Sequence, residues 1–315
     1  MSPNGVLVVA VQVGVVVGGS PLLVGLTRKV RARMEGRAGP AIVQPWRDLR
    51  KLLAKERIAP EHSTWVFALA PLVLISTAGL VAAIAPFAST RSPLDHVGDL
   101  FAVVYLLLLG TVFLALAGLD PGTAFGGMGA SRAMTIAALA EPTILLAIFA
   151  LSVPAGSSNL ATIVTATLGH PQRVASPGSL LALAAFTVVL LAETGRLPVD
   201  NPATHLELTM IHEAMVLEYA GPDLALVELA AGMRLVIFVG LVVNLFAPWG
   251  IATTTSPVPV ALGALSFSVK VALGGAILAA FEVFVAKLRL FRVPELLAAS
   301  FVLSFLAVTA SFFLS

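Results

Sequence analysis

Apolar runs long enough to cross about 30 Å of hydrocarbon as a helix recur along this chain, with short polar stretches between them. Eight can be counted, at roughly 5–27, 64–86, 99–119, 133–153, 178–196, 225–249, 260–285 and 294–314. In hydrocarbon every backbone polar group must be satisfied within its own segment, so runs of this length are read as helices. The pattern predicts an all-α integral membrane fold: a bundle of about eight transmembrane helices forming one polytopic domain over 1–315. The fifth run is short. Its uncharged part, Ser179 to Ala192, spans the membrane only if the helix starts near Pro177 or Glu193 lies inside, and both are expected. The first 27 residues carry no charge, and they lack the basic n-region and small-residue cleavage site of a signal peptide. They are read as a permanent first span, in which Gly14 and Gly18 have the small-xxx-small spacing that lets helices pack closely.

Basic residues set the orientation. Ten of the 19 Lys and Arg lie between Arg28 and Arg57, and Arg132, Arg196, Lys287, Arg289 and Arg292 fall in the other loops on that side. The opposite loops hold only Arg91 and Arg173, a split of 15 against 2. The positive-inside rule then places loops 28–63, 121–132, 196–224 and 286–293 in the cytoplasm and both termini outside; the location expected is a bacterial or archaeal cytoplasmic (inner) membrane. Within 28–63, Trp46, Leu49, Leu52 and Leu53 recur at helical spacing, with Arg47, Arg50, Lys51 and Lys55 on the other side. That is the pattern of a short helix in the membrane interface, although an ordinary positive flank would also be basic.

Composition agrees with the bilayer as the chain's solvent: 58% of residues are hydrophobic and 11% charged, with mean hydropathy +0.98. There is no cysteine, which excludes thiolate-held iron–sulfur clusters and cysteine-type zinc sites within this chain. No phosphate-cradling glycine loop is present, and no nucleic-acid partner is expected.

Against this background the charges inside spans stand out. Glu141, Arg234, Lys270 and Glu282 fall within apolar runs and Glu193 at the end of one. Such groups are expensive in hydrocarbon and line protein or water interiors. Arg234 or Lys270 can each neutralise one glutamate, which leaves carboxylates over. Carboxylates in series in a low-dielectric site are what proton relay requires. More ionisable groups gather in "ETGRLPVDNPATHLELTMIHEAMVLEY" (193–219), which holds five carboxylates, two histidines and one arginine. Asp200 or Asn201 can cap a helix with Pro202 at its first position, and no proline or glycine follows up to Tyr219. On such a helix Glu207 and Glu218 return to within about 20° of one another, while Glu213 points elsewhere. The acids would turn into a polar cavity. His212-Glu213 lacks the second histidine of a zinc-protease helix, Val216 standing there, and His205 with His212 has no recognised metal spacing.

"GRAGPAIVQPWRDLRKLLAKE" (36–56) and "ETGRLPVDNPATHLELTMIHEAMVLEYAG" (193–221) resemble the ND1 family, the membrane subunit that joins the soluble arm to the membrane arm in respiratory complex I. The resemblance covers nearly the whole chain. With "FGGMGASRAMT" (125–135) and "AKLRLFRVPELL" (286–297), the wording is similar to the family's hydrogenase branch, which supplies the membrane anchor of formate hydrogenlyase and related energy-converting [NiFe] hydrogenases. Ala203 and His205 stand where the quinone-linked form has acids, and Ala133 where hydrogenase relatives often carry one. The resemblance implies a non-catalytic subunit of an oxidoreductase complex. It implies no cofactor in this chain, with the [NiFe] centre and iron–sulfur clusters in partner subunits. The partners implied are hydrogenase large and small subunits, an iron–sulfur subunit and antiporter-like membrane subunits, all at the lipid bilayer. It also implies that the first cytoplasmic loop packs beneath the electron-transfer subunits through Arg37, Gly39, Pro40, Gln44, Pro45 and Asp48, with Arg196 matching the arginine after the fifth span. Glu141, Glu193, Asp200, Glu207 and Glu218 match the acids of the proton path, and burial logic adds Glu213, Lys270 and Glu282. The function expected is docking of the hydrogenase arm plus proton relay coupled to electron transfer. The alternatives are the quinone-binding ND1-type subunit of NADH:quinone oxidoreductase, a stand-alone cation or proton transporter, and a purely structural anchor.

Overall fold

A computed structural model describes residues 3–200 and 210–313 of the chain. The described residues form α1 (Pro3–Met34), α2 (Gln44–Leu53), α3 (Trp65–Ile84), α4 (Leu100–Leu119), α5 (Ala124–Ala155), α6 (Leu160–Gly169), α7 (Pro177–Glu193), α8 (His212–Val216), α9 (Gly221–Phe246), α10 (Pro257–Phe284) and α11 (Val293–Phe313). Seven of these, α1, α3, α4, α5, α9, α10 and α11, are long and apolar enough to cross a membrane. The remaining expected span is α7, whose 17 residues reach about 25 Å at the helical rise. It starts at Pro177 and packs between α5 and α11. The all-α membrane architecture is as the hydrophobic pattern predicts.

The helix starts are encoded locally. Thr64, Asp99, Thr123, Asn159 and Ser176 accept hydrogen bonds from first-turn backbone N–H groups of α3, α4, α5, α6 and α7. The largest core cluster includes Phe186, Phe238, Ile144, Ile148 and Ile237, all essentially inaccessible, and a second gathers around Phe67, Leu114, Met215 and Tyr219. One end is stitched by Asn244 Nδ2 donating to the Pro86 and Phe87 carbonyls (2.8 and 3.0 Å) and by the Ala252 N–H donating to the Ala88 carbonyl (3.0 Å). At the other end the Thr64 hydroxyl donates to Asp120 (2.6 Å) and Arg57 Nε to Asp223 (2.6 Å).

Four expectations are corrected. Residues 124–132 are helical, not loop, because the Thr123 cap starts α5 at Ala124. The glycines there allow it: a Cβ on Gly126 would lie 2.0 Å from the Gly118 carbonyl oxygen, and one on Gly129 2.9 Å from Ala214 Cβ. The helix expected up to Tyr219 has only His212–Val216 helical among its described residues. Burial explains the break: Tyr219 is drawn inward, its ring stacked 4.0 Å from Phe67 and its hydroxyl donating to the Phe67 carbonyl (2.9 Å). Burial also pushes the Tyr219 phenol above its ordinary pKa. Between α5 and α7 lies α6, where no element was expected, since ten residues are too few to read as a span. Finally, the apolar side of α2 is divided. Pro45 and Leu49 are buried against the bundle, whereas Trp46 and Leu53 are 39% and 56% exposed.

At the end of α1, Arg31 and then Arg37 hydrogen-bond Glu35 and hold its carboxyl below the usual carboxylate range. Cβ atoms added at Gly14 and Gly18 would meet nothing within 4 Å, so no described part of this chain packs against that glycine face. Gly126→Ala should therefore destabilise the bundle by about 1–3 kcal/mol through overpacking. Gly18→Ala should be neutral or up to ~1 kcal/mol stabilising as a helix-interior Gly→Ala change. Thermal unfolding of the solubilised protein separates the two, and equal behaviour would contradict the α4–α5 close approach.

Candidate functional site

A cavity of about 160 Å³ lies between α3, α4, α5 and α9 and the segment running from the end of α7 to α8. Its walls are largely apolar, with Leu74, Leu107, Ile136 and Met215 among them; its polar groups are Thr77, Thr111, Glu193, Thr194, Asp200, His212, Glu213 and Arg234. The deepest charge is Arg234, thirteen residues into α9 and so about 20 Å along that helix. Its Nη2 donates to Glu193 Oε2, and the Glu193 side chain is 3% exposed. Its Nη1 donates to the Leu107 carbonyl (3.1 Å), and its Cζ stands 5.6 Å from the Phe238 ring centroid. The absence of a side chain at Gly110 makes room: a Cβ there would sit 3.2 Å from Thr77 Oγ1 and 3.9 Å from Arg234 Nη1. Arg234 Nε is buried and has no hydrogen-bond partner among the described residues.

Glu141 lies midway along α5, directly before Pro142, and is 7% exposed. Neither carboxyl oxygen has a hydrogen-bond partner among the described residues. The charges whose fields reach it are Glu193 and Arg234. A buried polar side chain without a partner is rare in folded proteins and points to water, an ion or a mobile proton. The arrangement is one guanidinium paired with Glu193, a second carboxyl in its field, and an Nε–H without a partner among the described residues.

Long-range contacts fix the cavity's polar rim. Arg196 Nη1 donates to Glu282 Oε1 (3.1 Å), with side chains 16% and 3% exposed, and Nη2 reaches Thr27 Oγ1 (3.4 Å). Lys287 Nζ donates to Asp200 Oδ1 (2.9 Å), and the Leu288 N–H to the Pro198 carbonyl (3.0 Å). From the other side Arg132 Nη1 donates to the Met210 carbonyl (2.9 Å). The polar loop is thus held to α1, α5 and the α10–α11 connection.

Of the residues expected to relay protons, Glu193, Asp200 and Glu213 line the cavity, and Glu141 is in electrostatic reach of Glu193 and Arg234. Glu282, expected in the relay, is buried in an ion pair with Arg196. Arg234 neutralises a glutamate as expected, but Lys270 does not: its Nζ donates to Asn244 Oδ1 (2.6 Å) and the Ala247 carbonyl (3.0 Å), closing the far end of α9. Lys270 is not among the cavity's lining residues. Glu218 is exposed rather than turned into the cavity, because the buried Tyr219 beside it reverses the chain. Glu207, His205 and Ala203 lie outside the described residues. Of the docking set, Arg37, Gly39 and Pro40 are exposed, Gln44 Nε2 donates to Asp48 (2.9 Å), and Pro45 is buried. Sequence reasoning missed Glu228, a carboxylate in the first third of α9, because the span was expected to begin only three residues before it. Among the described residues no three of His, Cys, Asp and Glu are placed to hold a metal ion.

Together the fold and the site define a multi-pass membrane protein that keeps ionisable groups inside its helical bundle. The chain belongs to the NADH dehydrogenase family, whose model matches residues 6–312. It is 34% identical to formate hydrogenlyase subunit 4 of Escherichia coli over 302 residues, 96% of this chain and 97% of that protein. It is 38% identical to hydrogenase-4 component C of Escherichia coli over 75% of this chain and 74% of that one. NADH-quinone oxidoreductase subunit 8 of Rhodothermus marinus is 30% identical over 71% of this chain and 68% of its own length. In fold, the chain matches one in the membrane-bound sulfane sulfur reductase, an archaeal respiratory membrane complex, with a TM-score of 0.81 over 98% of each chain at 20% identity. The resemblance read from the motifs is borne out.

Removing one partner of a buried ion pair leaves an uncompensated charge, at a cost of about 3–5 kcal/mol. Arg234→Leu should accordingly lower the stability of the solubilised protein by that amount, and the double variant Arg234→Leu/Glu193→Leu should recover much of the loss. Additive losses in this double-mutant cycle would contradict the pairing.

Proposed function

We propose that this chain is the membrane anchor of a formate hydrogenlyase or [NiFe]-hydrogenase-type complex, and that it relays protons through its buried carboxylates. The observation that carries the relay is the buried carboxyl of Glu141, without a hydrogen-bond partner among the described residues, in the field of the Glu193–Arg234 pair. A proton on Glu141 removes a negative charge next to that pair. Its departure restores competition between two carboxylates for Arg234, whose Nε has no partner among the described residues. Protons reach the pair from the polar loop through the cavity, by way of Glu213, His212 and Asp200 at its rim. Moving a charge in this low-dielectric interior shifts neighbouring charges more than it would in water.

The docking half of the reading rests on the first basic loop. Arg37, Gly39 and Pro40 are exposed there, next to α2, whose outward side carries Trp46 and Leu53. In this reading hydrogenase and iron–sulfur subunits bind that face, bring the [NiFe] centre and clusters, and make the redox change to which the relay responds; antiporter-like subunits adjoin within the membrane. The charge asymmetry supports a cytoplasmic position for the basic loops and an outside position for both termini, in a cytoplasmic membrane.

Glu141→Gln keeps the shape of the side chain and removes its proton. In inverted vesicles carrying the assembled complex, this variant should abolish proton-motive output while leaving assembly intact. Unchanged ion transport in the assembled variant would contradict the relay. Loss of activity with quinone-site inhibitors would instead favour the quinone-linked alternative.

A further inference from the structure

A second cavity of about 190 Å³ lies between α1, α2 and α9, away from the carboxylate site. Its apolar wall is made by Pro21, Val24, Leu49, Leu52 and Leu229. A Cβ on Gly232 would touch Ser20 at 3.4 Å, so α1 and α9 close against each other at that end. At the opposite end α2 covers the slot, held close because Gly25 leaves room for the Ile42 backbone.

Three charges face this slot: Arg28 from α1, Asp48 from α2 and Glu228 from α9. Glu228 is seven residues into α9, about 10 Å along a membrane-spanning helix, and is nevertheless exposed. Neither it nor Arg28 has an ion-pair partner among the described residues, and Asp48 accepts from Gln44. Carboxylates at that depth of a span pair with something or face water. The slot thus offers one cation, two anions and an apolar wall, at the end of the bundle that carries the first basic loop.

The ligand with the complementary chemistry carries a phosphodiester, a primary ammonium and acyl chains. We propose that this slot is a binding site for one amine-bearing zwitterionic phospholipid of the phosphatidylethanolamine type, with its phosphate on Arg28, its ammonium on Glu228 and Asp48, and an acyl chain along Val24, Leu49 and Leu229. A purely anionic headgroup would meet two carboxylates. A choline headgroup has no N–H to donate to them, and a neutral ring compound would leave Glu228 unanswered. This inference does not rest on the relay reading.

The test uses the complex as purified gently from its own membranes, reconstituted in nanodiscs of mixed phosphatidylethanolamine, phosphatidylcholine and phosphatidylglycerol with matched chains, then examined by native mass spectrometry. One ethanolamine lipid per chain should remain after delipidation, preferred over the choline lipid by about tenfold, which corresponds to ~1.4 kcal/mol. Glu228→Gln and Arg28→Gln should each remove the preference. Equal retention of choline or glycerol lipids by the unaltered complex would overturn the proposal without any variant needing to fold. Recovery of a quinone in place of a lipid, or retention unaltered in both variants, would also overturn it.

Discussion

A guanidinium about 20 Å along a membrane helix is costly without a counter-charge, and the arrangement around Arg234 follows from that constraint. Glu193 supplies the opposite charge, the Leu107 carbonyl a further acceptor, and the Phe238 ring a face for the cation. Because Glu193 is the last residue of α7, pairing it fixes where that helix stops and where the polar loop begins. The loop cannot then drift. Arg196 and Asp200 are held by Glu282 and Lys287, which come from the end of α10 and the connection after it.

Pairing also singles out Glu141. Glu193, Glu282 and Asp200 each face a basic partner, and such pairs bury charge only where the geometry is strict. Glu141 is as deeply buried but has no hydrogen bond among the described residues, and Pro142 next to it contributes no backbone N–H. Its carboxyl sits in the field of the Glu193–Arg234 pair. An ion pair with a second carboxyl in its field is the arrangement on which the proposed relay rests.

Much of this was legible in the sequence because membranes impose simple rules. The eight apolar runs, the start of α7 at Pro177 and the amphipathic α2 follow from length, capping and periodicity. The isolation of charge inside spans points to Glu141, Glu193 and Arg234 on composition alone. What composition did not reveal were pairings across long separations, such as Arg196 with Glu282 and Lys287 with Asp200, which depend on how α10 lies against the loop. Local pattern also overestimated the loop helix. Nothing in its own residues stops it at Val216; the stacking of Tyr219 on Phe67, 152 positions away, does. The helical start of α5 was masked by its glycines, which read as loop but serve close packing on α4 and α8.

In the proposed reading, this family member anchors a hydrogenase at the membrane. The most direct measurement is affinity capture of the tagged chain from gently solubilised native membranes, with mass spectrometry of the eluate and assay of its nickel and iron. A hydrogenase large subunit should appear in that eluate together with nickel and iron. Flavin and NADH-oxidising subunits without nickel, or the chain by itself, would contradict the claim.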